Sequence, residues 1–163
     1  TVLLDAIAQL AAKATTAKFF FAGDGPQKEN LTKQVTQLGI SERVAFLGVR
    51  NDIGQLLSAA DVFVQPSLWE GLSLALLEAL FAGLPVIATM VEGVVDVVED
   101  GKSALLVKTG DAHELAKAIE QLIADEPLRR KLAVAGNERA KAKYSIDTMC
   151  GAYEKLFQSL LNG

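Results

Sequence analysis

Glu70 and Glu78 flank seven residues in the stretch Pro66 to Thr89, PSLWEGLSLALLEALFAGLPVIAT. Between Gly71 and Met90, Glu78 is the only ionisable side chain, and Leu74, Ala75, Leu76, Leu77, Ala79, Leu80, Phe81 and Ala82 leave no polar face around it. That composition predicts a helix buried on all sides. Burying an unpaired carboxylate is costly, so Glu78 is expected either to have an ionic partner or to open on a cleft. The first would make it a structural carboxylate, the second a ligand contact. Glu70, with Gly71 and Ser73, falls where Pro66 and Ser67 end a strand and the helix begins. Unpaired N–H groups and the helix dipole make such a point receptive to phosphate. The chemistry on offer is capture of a phosphorylated ligand by backbone, with one carboxylate on each side.

Other chemistries find no support. No nucleophile has a base beside it, and there is neither a carboxylate pair at metal spacing nor a D-x-D motif, so no metal and no cofactor are expected. His113, the only histidine, lies in the first turn of a helix without a second His or a Cys nearby, and reads as an exposed helix residue. The single Cys150 excludes an internal disulfide, and a reducing compartment is the default. Arg50, after the strand VAFLG, reads as a solvated loop residue. Trp69 reads as a pocket wall or as a core or lid aromatic. Gly23-Asp24-Gly25-Pro26 reads as a strand-to-helix turn rather than a dinucleotide fingerprint. A net charge of −4 and a pI near 5.0, without basic runs, argue against nucleic acid or an anionic membrane as partner.

These residues need a scaffold, and the flanking sequence supplies one. Val62 to Gln65 predicts a strand, Gly83 and Pro85 end the helix, and Val86 to Ala88 predicts another strand, giving a βαβ crossover. Ligands of open parallel sheets bind at the carboxyl ends of the strands, where the Glu70 loop lies. At 163 residues, 50% hydrophobic and 22% charged, the chain is one α/β domain spanning 1–163. Its apolar run is broken by Glu78, Gly83 and Pro85, so no transmembrane span is expected, and Asp5 in TVLLDAIAQLAAK argues against a signal peptide.

The remaining elements follow in order. A helix over Val2 to about Ala14 opens the chain. Strand Lys18–Ala22, helix Gln27–Leu38, strand Val44–Leu47 and helix Ile53–Ser58 with an Asn51 or Asp52 cap come next. After the central unit come a short helix Val94–Val98, strand Ala104–Val107, helix Ala112–Ala124 with an Asp111/Glu114 capping box, and a helix from Glu126 to about Tyr144. A closing helix within 145–163 carries an apolar stripe of Met149, Tyr153, Leu156, Phe157, Leu160 and Leu161.

Glu70, Gly71, Glu78, Ala79, Gly83, Pro85 and Val86 match the pattern P-S-x-x-E-G-F-G-x-x-x-x-E-A-x-A-x-G-x-P-V. The chain thereby resembles the retaining glycosyltransferases of family 4, the group 1 glycosyl transferases. FFFAGDGP, VAFLG, DVFVQPS, DGKSALLV, GDAHELAKAI and KYSID look like segments of that family's C-terminal domain, in the same order. The resemblance implies a Rossmann-like doubly wound parallel sheet with helices on both faces, one half of a GT-B architecture. It implies a metal-independent hexosyl transfer from a nucleoside-diphosphate sugar, with Glu70 as catalytic residue against the donor sugar and its phosphate. Glu78 would bind the ribose hydroxyls, the N–H groups of Gly71, Leu72, Ser73 and Leu74 would face the diphosphate, and Gly48, Val49, Arg50 and Gly23 would complete the donor site.

Two positions depart from the pattern. Ser73 stands in place of Gly, where it would crowd the phosphates or donate a hydrogen bond. MVEGVVDVV replaces a Gly-Gly-x-Pro-Glu run, which puts Glu92, Val95 and Asp96 on the sugar side. The family's first strand, with its Arg and Lys, would precede Thr1 and lie centrally in the order 3-2-1-4-5-6. Either the flanking strands close up, or another segment fills the gap, or the topology differs. The expected partners are the nucleotide-sugar donor, the missing N-terminal domain, to which the closing helix would return, and a second copy through exposed apolar surface. The expected location is cytoplasmic, with attachment at the inner membrane face through the missing domain as the alternative. The rival readings are a non-catalytic nucleotide-binding or assembly module and an unrelated doubly wound domain with a structural Glu78.

Overall fold

The computed structural model describes residues 2–13 and 15–161. Its elements run α1 (Val2–Ala11), β1 (Phe19–Ala22), α2 (Lys28–Gln37), a 3-10 turn (Ser41–Arg43), β2 (Val44–Gly48), α3 (Ile53–Ala59), β3 (Phe63–Gln65) and α4 (Leu74–Phe81). They continue with β4 (Val86–Thr89), α5 (Glu92–Val95), β5 (Leu105–Val107), α6 (Ala112–Ala124), α7 (Glu126–Tyr144) and α8 (Ile146–Leu161). Ala14 and residues 162–163, included in the expected first and last helices, lie outside the described residues.

β4 is buried along its whole length because it pairs on both edges, Phe63 with Val86 on one side and Ile87 with Leu105 on the other, all parallel. A strand enclosed in that way needs an unbroken apolar run, which VIA supplies. Alternate residues serve opposite faces. Val86 and Ala88 pack with Leu76, Leu80, Val94 and Ala140 from α4, α5 and α7. Ile87 packs with Ala6, Leu10, Leu115 and Leu122 from α1 and α6, and Leu132 carries α7 onto this face. Helices therefore cover both faces of a parallel sheet, the doubly wound arrangement. Truncating a fully buried leucine such as Leu76 or Leu80 to alanine costs about 2–5 kcal/mol.

The strands divide into a pair β1-β2 and a triplet β3-β4-β5. Of the sequence alternatives, closure of the flanking strands is excluded: among the described residues β1 pairs with β2 and β3 with β4, and neither with the other. One body nonetheless holds both sheets. Leu4 and Ile7 of α1 pack with Val35, Phe21 and Phe46 over the pair, while Ala6 and Leu10 of the same helix pack over the triplet. Phe19 of β1 touches both groups.

α4 departs from expectation. It buries Leu76, Leu77, Ala79 and Leu80, but Leu74 and Phe81 are exposed, and so are Ala75 and Glu78. Only one face meets the sheet and α7, and no described element covers the other. The helix ends as its sequence requires: Gly83 takes φ +75°, which Cβ-bearing residues avoid, and Asn137 Nδ2 donates to the carbonyls of Leu80 and Phe81 at 2.9 Å each. α5 starts at Glu92, ahead of the expected Val94, because Val94 and Val95 N–H groups already bond back to Val91 O.

Candidate functional site

β3 ends at Gln65, and the next helical residue is Leu74, so residues 66–73 form a loop at the carboxyl end of the sheet. Two hydrogen bonds to its backbone hold it. Thr89 Oγ1 donates to Ser67 O at 2.5 Å, and Gly93 N–H donates to Glu70 O at 3.2 Å. Gly93 also lets α5 reach the loop, because a Cβ there would stand 1.7 Å from Gly71 O. Inside the loop, Glu70 Oε2 accepts from Gln65 Nε2 at 2.8 Å and from Ser67 Oγ at 3.1 Å.

Ser73 is buried and caps α4, its hydroxyl accepting from Leu76 N–H at 3.2 Å and donating to Gln65 Oε1 at 3.2 Å. The hydroxyl that was expected either to crowd the phosphates or to donate to them is turned into the protein instead. It leaves the N–H groups of Gly71, Leu72, Ser73, Leu74 and Ala75 without a partner among the described residues. A run of unpaired amides at a helix N-terminus is an anion site in form.

Glu78 lies one helical turn along from Leu74 on the exposed face of α4. It makes no ion pair among the described residues, so of the two alternatives, an ionic partner or an opening, the first falls, and the expected burial is corrected to an exposed position. The Cα–Cβ bonds of a helix tilt toward its N-terminus, the end of α4 that carries the free amides. Glu70 and Glu78 thus bracket one accessible patch of N–H groups.

The other expected residues fall at the neighbouring strand ends. Gly23 N–H donates to Gly48 O at 2.7 Å, joining the carboxyl ends of β1 and β2, with Val49 exposed beyond them. Arg50 binds Asp52 through both oxygens, Nε to Oδ1 at 2.8 Å and an η-nitrogen to Oδ2 at 2.5 Å. That pairing raises the Arg50 pKa and holds the Asp52 carboxyl below its ordinary 3.8. It also occupies the carboxylate that would have capped α3, which has no side-chain cap. Trp69 is 83% exposed, so its reading as a core aromatic is corrected. His113 is exposed, as expected, with Nδ1 3.1 Å from Gln9 Oε1.

Gln65, Ser67, Thr89 and Gly93 are the residues that sequence reasoning missed. Only Gln65 left a trace, as an amide closing an apolar strand. A cavity of about 490 Å³ lies at the opposite end of α4, lined by Phe81, Gly83, Asn137 and Lys141, away from this chemistry. Among the described residues no group of His, Cys, Asp or Glu could hold a metal ion, and no helix is long and apolar enough to cross a membrane.

Fold and loop define a class: a Rossmann-like α/β domain of the kind that forms one half of a GT-B glycosyltransferase. The chain belongs to the glycosyl transferases group 1 family, whose sequence profile matches residues 1–139. The lipopolysaccharide core biosynthesis glycosyltransferase LpsE of Rhizobium meliloti is 39% identical over 96% of this chain and 45% of its own length. N-acetyl-alpha-D-glucosaminyl L-malate synthase of Bacillus anthracis is 32% identical over 95% of this chain and 42% of its own. Among solved structures, Anabaena Alr3699/HepE in complex with UDP superposes with a TM-score of 0.90 at 29% identity, covering 97% of this chain and 44% of that one. The C-terminal domain of the group 1 protein LpcC from Francisella tularensis gives 0.81 at 27% identity, over 89% of this chain and 78% of that one. The chain spans less than half the length of these two curated relatives.

Proposed function

We propose that this chain is the donor-binding domain of a glycosyltransferase that moves a sugar from a uridine diphosphate sugar to an acceptor, and that transfer requires the rest of the longer protein. One observation carries this: the unpaired N–H groups from Gly71 to Ala75, bracketed by Glu70 and Glu78 on an open face at the carboxyl end of the sheet. The diphosphate lies on those amides. The Glu78 carboxylate accepts from the ribose hydroxyls, two acceptors meeting two donors. Gly23, Gly48, Val49 and the backbone of Arg50 border the base.

In the reaction the bond between the anomeric carbon and the diphosphate breaks. The leaving group's negative charge grows on oxygens that already face preorganised amides, which is electrostatic catalysis without a metal. Glu70 stabilises the positive charge developing on the sugar, and the configuration is retained. The solved HepE structures, 29–30% identical, hold UDP, UDP and glucose, or UDP-glucose, which supports a uridine nucleotide here.

Calorimetric titration with UDP, and with GDP alongside, tests the reading. Saturable binding of UDP is expected, weakened roughly 10–100-fold by Glu78→Ala, since hydrogen bonds to a charged group contribute about 1.5–3 kcal/mol. Silence with both nucleotides defeats the reading and leaves only the fold. Sugar transfer on supplying the remaining part of the protein separates an enzyme from a non-catalytic nucleotide module.

A further inference from the structure

Gln65 closes β3 as a buried residue, 8% exposed. A core position beside Val64 does not need an amide, and a buried amide is tolerated only when its hydrogen bonds are made. Both ends of this one are used, and both by residues of the loop that follows the strand. Nε2 donates to Glu70 Oε2 at 2.8 Å, with Ser67 Oγ 3.4 Å away, and Oε1 accepts from Ser73 Oγ at 3.2 Å. The orientation is forced, because turning the amide over would set its oxygen against a carboxylate oxygen. Glu70 Oε2 is therefore doubly occupied, by Gln65 and Ser67. Glu70 Oε1 has no partner among the described residues.

We propose that Gln65 is a positioning residue for Glu70: it occupies one carboxylate oxygen so that the other is presented to the donor sugar, and through Ser73 it ties that orientation to the cap of the phosphate-facing helix. This rests on the donor-site reading of Glu70 and α4. Gln65→Met keeps the length and burial of the side chain and removes both hydrogen bonds. Ser73 still accepts from Leu76 N–H, so the cap and the free amides stay in place. The diphosphate site survives while the carboxylate loses its bearing.

The test has two arms, both on this chain. In the first, the Gln65 side-chain amide protons are followed by nitrogen-15 NMR without nucleotide. Slowed exchange that is lost in Glu70→Ala is expected, and free exchange, or protection indifferent to Glu70→Ala, overturns the proposal. In the second, UDP and UDP-glucose are titrated into the unmodified chain and into Gln65→Met. UDP affinity should be retained while the advantage of UDP-glucose over UDP falls roughly tenfold, the worth of one charge-assisted hydrogen bond. Gln65→Glu, which sets a like charge against the Glu70 carboxylate, should lose the same advantage. Equal weakening of both ligands, or an advantage untouched by Gln65→Met, overturns the positioning role. If the unmodified chain binds neither ligand, the donor-site reading has failed and the positioning role falls with it, while the NMR arm still shows whether the contact exists.

Discussion

Gly93 sets how closely α5 approaches the loop that carries Glu70. Its own N–H donates to Glu70 O at 3.2 Å, and a methyl group in place of its hydrogen would overlap Gly71 O at 1.7 Å and Glu70 O at 2.6 Å. Both obstacles are backbone atoms, so the loop itself would have to move, and with it the amides from Gly71 onward. Gly93→Ala should therefore abolish or strongly weaken UDP binding while the β4 core, which it does not touch, remains folded by circular dichroism. Unchanged UDP affinity in that variant would mean that the loop does not hold the nucleotide. At this scale the sequence was partly legible. The carboxylates on either side of a helix start were evident, as were the stop residues Gly83 and Pro85. The burial of Glu78 was misjudged because an apolar composition shows that a helix has greasy faces but not which of them is covered. Gln65, Ser67 and Thr89 escaped because their work is to hold the loop, and a loop's internal contacts leave no periodicity in the sequence.

Helices and strands were read closely wherever a cap or breaker marks them. α7 spans Glu126–Tyr144 as expected, and Asp111 caps α6 by accepting from Glu114 N–H at 2.8 Å. The capping box is only half made, because the Glu114 carboxylate turns to the Lys108 N–H at 2.8 Å instead. How elements bind one another was not legible, and Arg139 shows why: its partners come from residues some forty positions away. From α7 its Nε donates to Val97 O at 2.7 Å and one η-nitrogen to Glu99 Oε1 at 2.5 Å, while Lys102 Nζ holds Glu99 Oε2 at 2.9 Å. The Lys102 hydrogen bond, then the charges of Lys102 and Arg139, keep the Glu99 carboxyl below its ordinary 4.5. A carboxyl lowered by folding contributes stability that is complete above the unfolded value and is lost as pH falls through the folded one. Glu99→Gln should thus melt a few degrees below the unmodified chain at neutral pH, a modest effect because the carboxylate is half exposed. The gap should close on acidification below about 4.5, and a gap that persisted into strong acid would show that the ion pairs are not its source.

Taken whole, the molecule leaves two apolar features unpartnered among the described residues. The inner edges of β1 and β3 carry no strand between them, and Phe20 beside that gap is 67% exposed. The strand order was legible from the family pattern, but which alternative held at the gap was not, since no residue pattern shows whether β1 and β3 pair; α1 packs on both sheets and joins them without closing it. The second feature is α8, which has no buried residue. Ile146, Met149, Tyr153, Leu156, Phe157, Leu160 and Leu161 are all more than half exposed and recur at helical spacing along one side. A contiguous stripe of that kind is unusual on a stable monomer and marks a contact surface. In a longer protein another domain is its natural cover. Alone, the chain should bury the stripe against a second copy, so its mass by sedimentation velocity should rise above 17.3 kDa with concentration. Replacing Leu156 and Phe157 by glutamate should return it to the monomer, since each such change sets a charge in the middle of the stripe, and nucleotide binding at the α4 loop should not change. A chain that stays at 17.3 kDa at every concentration would show that α8 is covered by its own domain in solution, and a double variant that still associates would shift the contact to the open strand edges.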